Sequence, residues 1–154
     1  MTTTRNMEVT DVAGEIIACV VTQWAVIDLD KRVAVDLRGH VDYSKALTDN
    51  PCPVEKPMRI THVNPTQYRE HEVVYSDLDF NRHVNAMKYL VWMFDMLPLE
   101  LAAEKLLARI DINFMHEARY GQVLKIGLEQ GDDSIFEITE EEGQALCRAA
   151  MKWK

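Results

Sequence analysis

Residues 84–97 read VNAMKYLVWMFDML. Val84, Met87, Leu90, Val91, Phe94 and Leu97 recur at the three- and four-residue spacing of an α-helix, and Pro98 closes the run. With Trp92, Met93 and Met96 the apolar side chains cover most of the circumference. The spacing therefore predicts a long helix that starts between His83 and Ala86 and is wrapped by other structure. EHEVVYS, 70–76, reads as a strand before it. Four strand-like runs come after it, Arg109 to Glu117, Gln122 to Gln130, Ser134 to Glu140 and Gln144 to Trp153, with Gly121, Gly131 and Gly143 at the turns. Strand, buried helix, antiparallel meander: an α+β arrangement with a sheet curled around one central helix satisfies that order.

Upstream, VAG at 12–14 supplies a turn between Met7 to Asp11 and Glu15 to Asp28, which read as a β-hairpin. The second strand is apolar on both faces and expects cover on both. Residues 36–67 carry Gly39, Pro51, Pro53, Pro57 and Pro65, and DNPCPVEKP (49–57) cannot be a central strand or helix. This stretch is expected to be a linker, with a short helical turn around Asp42 to Leu47.

The chain has 154 residues, 47% hydrophobic and 27% charged, enough for one good core. No apolar run reaches the roughly 18 residues of a membrane helix, and MTTTRNMEVT lacks a secretory h-region. A cytoplasmic protein with no membrane partner is expected. Cys19, Cys52 and Cys147 contain no CxxC, which argues against a disulfide framework or a thiolate zinc site. A net charge of −8 gives no basic field for nucleic acid.

Immediately before the helix, Asp77, Asp79, Asn81, His83 and Asn85 occupy every second position. A calcium loop fails: counted from Asp77, Arg82 stands where the loop needs glycine and Lys88 where it needs the bidentate Glu. HEARY (116–120) lacks the second His of a zinc-protease motif. Asp79, Asn81 or Asn85 can cap the helix. One cap does not account for the clustering of Asp79, Asn81 and His83 where a buried helix presents free N–H groups and the positive end of its dipole. A carboxylate and an imidazole there can activate water against an activated carbonyl. Glu117 shares a strand face with Arg109, Asp111 and Asn113, as a solvated residue would, and His116 falls on the apolar face with Ile110, Ile112 and Phe114. His40, His62 and His71 carry no signal.

SDLDFNRHVNAMKYLVWMFDMLP (76–98) resembles the motif of the acyl-acyl carrier protein thioesterases of the tandem hotdog type, where D-x-N-x-H-V-N leads into the central helix. IDINFMHEARYGQ (110–122) is similar to that family's second motif, in which a Glu closes the catalytic network. The likeness continues through ALCRAAMKWK (145–154) and EIIACVVTQWAVIDLDKRVAV (15–35). Plant members carry a Cys directly after the Glu, where this chain has Ala118.

The resemblance implies a hotdog fold and release of fatty acid from acyl carrier protein, without metal or cofactor. It names Asp79, Asn81, His83 and Glu117 as catalytic: Glu117 or His83 as base, Asn81 and Asp79 positioning the network, helix amides polarising the thioester carbonyl. It also implies that 1–35 is the trailing hairpin of an incomplete first hotdog domain, 36–67 the linker and 68–154 the catalytic domain. An uncovered sheet edge then predicts a homodimer. Arg82, Lys88 and Arg119 are candidates for docking an acidic carrier protein. Coenzyme A as carrier and a non-catalytic acyl-binding module are the alternatives.

Overall fold

The computed structural model describes residues 2–28, 30–31, 33–36, 42, 44 and 49–154, and divides the chain into two compact units, 1–57 and 58–154. The helical turn expected around Asp42 to Leu47 falls largely outside the described residues.

In the first unit β1 (Thr2–Thr10) pairs antiparallel with β2 (Ile16–Ala25), from Thr2 opposite Ala25 to Thr10 opposite Ile16. Asp11 makes the turn, its Oδ1 accepting from the amides of Ala13 and Glu15. Gly14 takes φ +87°, a left-handed value open to glycine at no steric cost. A short pair comes next, β3 (Ile27–Asp28) with β4 (Val33–Ala34). Among the described residues the cover expected on both faces of β2 is not built: Ile16, Ile17, Val20 and Trp24 are exposed.

The second unit is a five-stranded antiparallel sheet in the order β5-β7-β8-β9-β6, formed by β5 (Gln67–Glu72), β6 (Leu107–Phe114), β7 (Val123–Gln130), β8 (Ser134–Glu140) and β9 (Ala145–Trp153). Two helices, α1 (Ala86–Phe94) and α2 (Leu99–Glu104), lie between β5 and β6 in sequence. Period-two alternation puts Leu124, Ile126 and Leu128, Phe136 and Ile138, and Cys147, Ala149 and Met151 on one face, all fully buried. Register stacks them: Leu128 opposite Phe136, Phe136 opposite Ala149, Ile138 opposite Cys147. Against this face α1 lays Tyr89, Trp92 and Met93, with Leu90, Met96 and Leu97 partly buried beside them. A sheet around a central helix is the hotdog fold, as expected.

Several expectations change in detail. The helix is not wrapped all round: Met87, Val91 and Phe94 are exposed, so α1 buries one face. The strand expected at 70–76 ends at Glu72 and gives way to a 3₁₀ turn at Tyr75–Asp77. Only β7, β8 and β9 form a meander, because β6 skips β7 and pairs with β9.

Within the stretch read as a linker, residues 58–66 belong to the second unit. Side chains hold their backbone: the Met58 amide donates to Asp111 at 3.0 Å, Ile60 to Asn113 at 2.8 Å, and the Asn64 amide to Glu129. Arg148 donates to the carbonyls of Ile60 and Thr61 while pairing with Glu137. The segment crosses the sheet's outer face and joins β5 where the Thr66 amide reaches the Leu128 carbonyl. Pro65 passes so close to β7 that a Cβ on residue 127 would lie 2.7 Å from its ring, and glycine stands there. Among the described residues no helix is long and apolar enough to cross a membrane.

Candidate active site

The loop from Asp77 to Asn85 is wound on its own backbone. Asp79 donates its amide to the His83 carbonyl at 2.8 Å, and its Oδ1 accepts from the amides of Asn81 (2.8 Å) and His83 (3.2 Å). A carboxylate short enough to fold back on nearby N–H groups is what such a turn requires. At its tip Arg82 adopts φ +64°, uncommon outside glycine. Asn85 is the cap, its Oδ1 accepting from the Met87 amide at 2.9 Å and its carbonyl from the Lys88 amide at 2.8 Å, so two amides of the helix start are already committed.

Glu117 reaches this loop through an irregularity. β6 runs in register with β9 as far as Phe114 opposite Cys147; then the amides of both Met115 and His116 donate to the one carbonyl of Leu146. That β-bulge breaks the alternation and re-aims the side chains beyond it. His116, expected in the core, is exposed, and Glu117 is exposed as a solvated residue would be. The segment then pairs with the loop: the Val84 amide donates to the Ala118 carbonyl at 2.9 Å, and His83 and Arg119 form an isolated antiparallel bridge. His83 Nε2 lies 3.3 Å from Glu117 Oε2.

Of the four residues named by the motifs, His83 and Glu117 are thus in side-chain contact. Asp79 organises the backbone under His83, and Asn81 lines the same cavity. That cavity, about 690 Å³, is walled by Tyr75, Leu78, Asn81, Arg82, His83, Arg119 and Tyr120. The His83 side chain is 29% exposed and that of Glu117 54%, so both reach solvent.

A second cluster lies beneath the loop. Asp77, buried, accepts from His71 Nε2 at 2.8 Å and the Val74 amide at 3.0 Å, and pairs with Lys88 Nζ at 3.2 Å. The His71 ring packs against Trp92, centroids 4.3 Å apart and planes tilted by 37°. His71 carried no signal in the sequence because its partner is defined only by the fold. Lys88, a docking candidate by sequence, is here bound to Asp77. Burial disfavours ionisation of Asp77, but His71, the Val74 amide and Lys88 outweigh it and hold its pKa below the ordinary 3.8. A depressed folded-state pKa means stability present above the unfolded value and lost as pH falls through the folded one. In acid unfolding, the stability gap between wild type and Asp77→Asn should hold constant above pH ~4 and close below it. A gap unchanged down to pH ~2 would refute the ionic role. Subtraction matters because Asp111, buried but held by Arg109 and the Met58 amide, shifts the same way.

Cys147 is fully buried, and burial pushes its thiol up to about 12, which leaves no thiolate to act as nucleophile.

The family model of the acyl-ACP thioesterase C-terminal domain matches residues 60–154. The chain belongs to the acyl-ACP thioesterase family. This thioesterase-family chain is 25% identical over 87 residues to an acyl-[acyl-carrier-protein] hydrolase of Cuphea viscosissima, a match covering 52% of the chain and 21% of that protein. It is 30% identical over 78 residues to the palmitoyl-acyl carrier protein thioesterase of Gossypium hirsutum, covering 51% and 19%. An acyl-ACP thioesterase structure from Bacteroides thetaiotaomicron superposes with a TM-score of 0.87 at 27% identity, over 99% of this chain and 63% of that one. The 12:0-ACP thioesterase from Umbellularia californica gives 0.83 at 19% identity over 99% and 62%, a likeness of fold alone. The matched regions cover about a fifth of the length of these curated relatives.

Proposed function

We propose that the chain hydrolyses fatty acyl thioesters carried by acyl carrier protein, with His83 and Glu117 as the proton-accepting pair. The observation that carries this reading is the 3.3 Å contact between Glu117 Oε2 and Nε2 of His83, a residue on the wall of an open cavity. The family membership and the activities of the named relatives support the choice of bond.

In this reading a water beside the pair gives up a proton as its oxygen attacks the thioester carbonyl carbon. The positive end of the α1 dipole, with the Ala86 amide, favours the negative charge on the carbonyl oxygen. The carbon–sulfur bond then breaks, the acid departs, and the thiolate takes up the proton that His83 and Glu117 accepted from the water. Asp79 keeps the His83 backbone in place, and Asn81 orients water from the cavity wall. Arg82 and Arg119, on the same wall, meet the acidic carrier.

Turnover of one acyl chain on acyl carrier protein and on coenzyme A, assayed side by side, tests the proposal. Higher kcat/KM on the carrier protein, falling with added salt, is the expected result. Equal or better turnover of the coenzyme A thioester would move the reading to that carrier. No hydrolysis of either would end it.

A further inference from the structure

Tyr89 is a buried titratable group with no part in the chemistry above. It sits on α1, one turn past the Asn85 cap, and is 3% exposed. Its ring is boxed by Trp92, at 5.5 Å between centroids and 60° between planes, and by the edge of Phe114 at 5.8 Å and 74°. The hydroxyl is thereby held at one place, where it accepts from the Ala118 amide at 3.1 Å.

Ala118 is 0% exposed, so no solvent replaces that bond. Its carbonyl is the acceptor for Val84. The residue after Glu117 is therefore gripped on both polar groups, one by the residue after His83 and the other by Tyr89. Glu117 itself is half exposed, and among the described residues its carboxylate is held by His83 alone. The backbone of Ala118 fixes where that carboxylate stands. Burial, opposed by the Ala118 amide and reinforced by Cys147 and Glu117, raises the phenol pKa, so the hydroxyl stays neutral and serves as acceptor, not as base.

We infer that Tyr89 is a positioning residue: its hydroxyl anchors Ala118 after the β-bulge and so sets the approach of the Glu117 carboxylate to the His83 ring. The inference rests on the reading that this pair does the chemistry, but its geometric content can be measured without turnover.

Tyr89→Phe keeps the ring and removes only the acceptor, leaving a buried N–H without a partner. Displacement of a reacting group by about 1 Å can cost of the order of 10²-fold in rate, so kcat should fall ~10- to 100-fold with KM near wild type. In a Glu117→Gln background the same substitution should change kcat little, because the group it positions is already gone. The His83 Hε1 NMR signal should move in Tyr89→Phe in the direction it moves in Glu117→Gln. An unmoved signal with unchanged kcat would overturn the inference while leaving the thioesterase reading intact. Full additivity of the two substitutions would overturn it as well. Should no thioester be turned over by wild type, the proposed function fails and the His83 signal still decides the inference. Slow exchange of the Ala118 amide in wild type is the matching expectation that needs no variant; rapid exchange would refute the anchor.

Discussion

His83→Ala and Glu117→Gln should each lower kcat about 10²- to 10⁴-fold, the range typical of a positioned acid–base group. The double variant should be scarcely worse than either single one, because groups that act as a unit lose their effect together. Both side chains reach solvent, so the unfolding free energy should change by no more than surface substitutions usually bring, about 0.5 kcal/mol. Steady-state kinetics on an acyl carrier protein thioester, read beside urea unfolding of the same samples, separates chemistry from folding. Wild-type turnover in both variants would show that the contact of 3.3 Å is structural.

Phe136→Ala should cost about 3–5 kcal/mol, the largest single loss of stability expected in the second unit. Phe136 is 0% exposed in the middle of β8, opposite Leu128 on one side and Ala149 on the other, beneath the face that receives α1. Removing the ring loses its transfer free energy and leaves a cavity that a five-stranded sheet cannot collapse to fill. That is a large part of the total stability of an ordinary domain, about 5–15 kcal/mol. The second unfolding transition should move to much lower urea with an unchanged m-value. A shift below ~1 kcal/mol would mean that the core repacks around the gap.

How much of this molecule is legible in its sequence depends on which interactions are local. Leu124 and Ile126 flank Lys125, and Phe136 and Ile138 flank Glu137, because the strand geometry itself has period two, so β7 and β8 can be read from their alternation. The start of α1 is legible for a similar reason: Asn85 caps an amide only two positions on. The bulge at Met115 and His116 leaves no such trace. Strict alternation carried through it sends His116 inward and Glu117 to the solvated face; the structure exposes His116, and Glu117, half exposed, turns its carboxylate to His83. Motif resemblance named Glu117 where periodicity could not. Nor do Asp77 and His71 announce each other, since their contact needs β5 and the loop folded back together. Residues 58–66 mislead for another reason. Their backbone bonds go to side chains of other strands, and prolines nearby make the stretch look unstructured.

The strand order has a consequence for the making of the protein. β9 lies between β8 and β6, and through Arg148 it also grips residues 60 and 61. A ribosome delivers this strand after every other strand of the sheet. Until it emerges β6 has no neighbour, β8 has one open edge, and the Ile60 and Thr61 carbonyls lack their guanidinium. Unpaired apolar strands are the surfaces on which nascent chains stick to one another. The second unit is thus closed from the inside by the strand made last, and the interval before it arrives is when a molecular chaperone has most to protect.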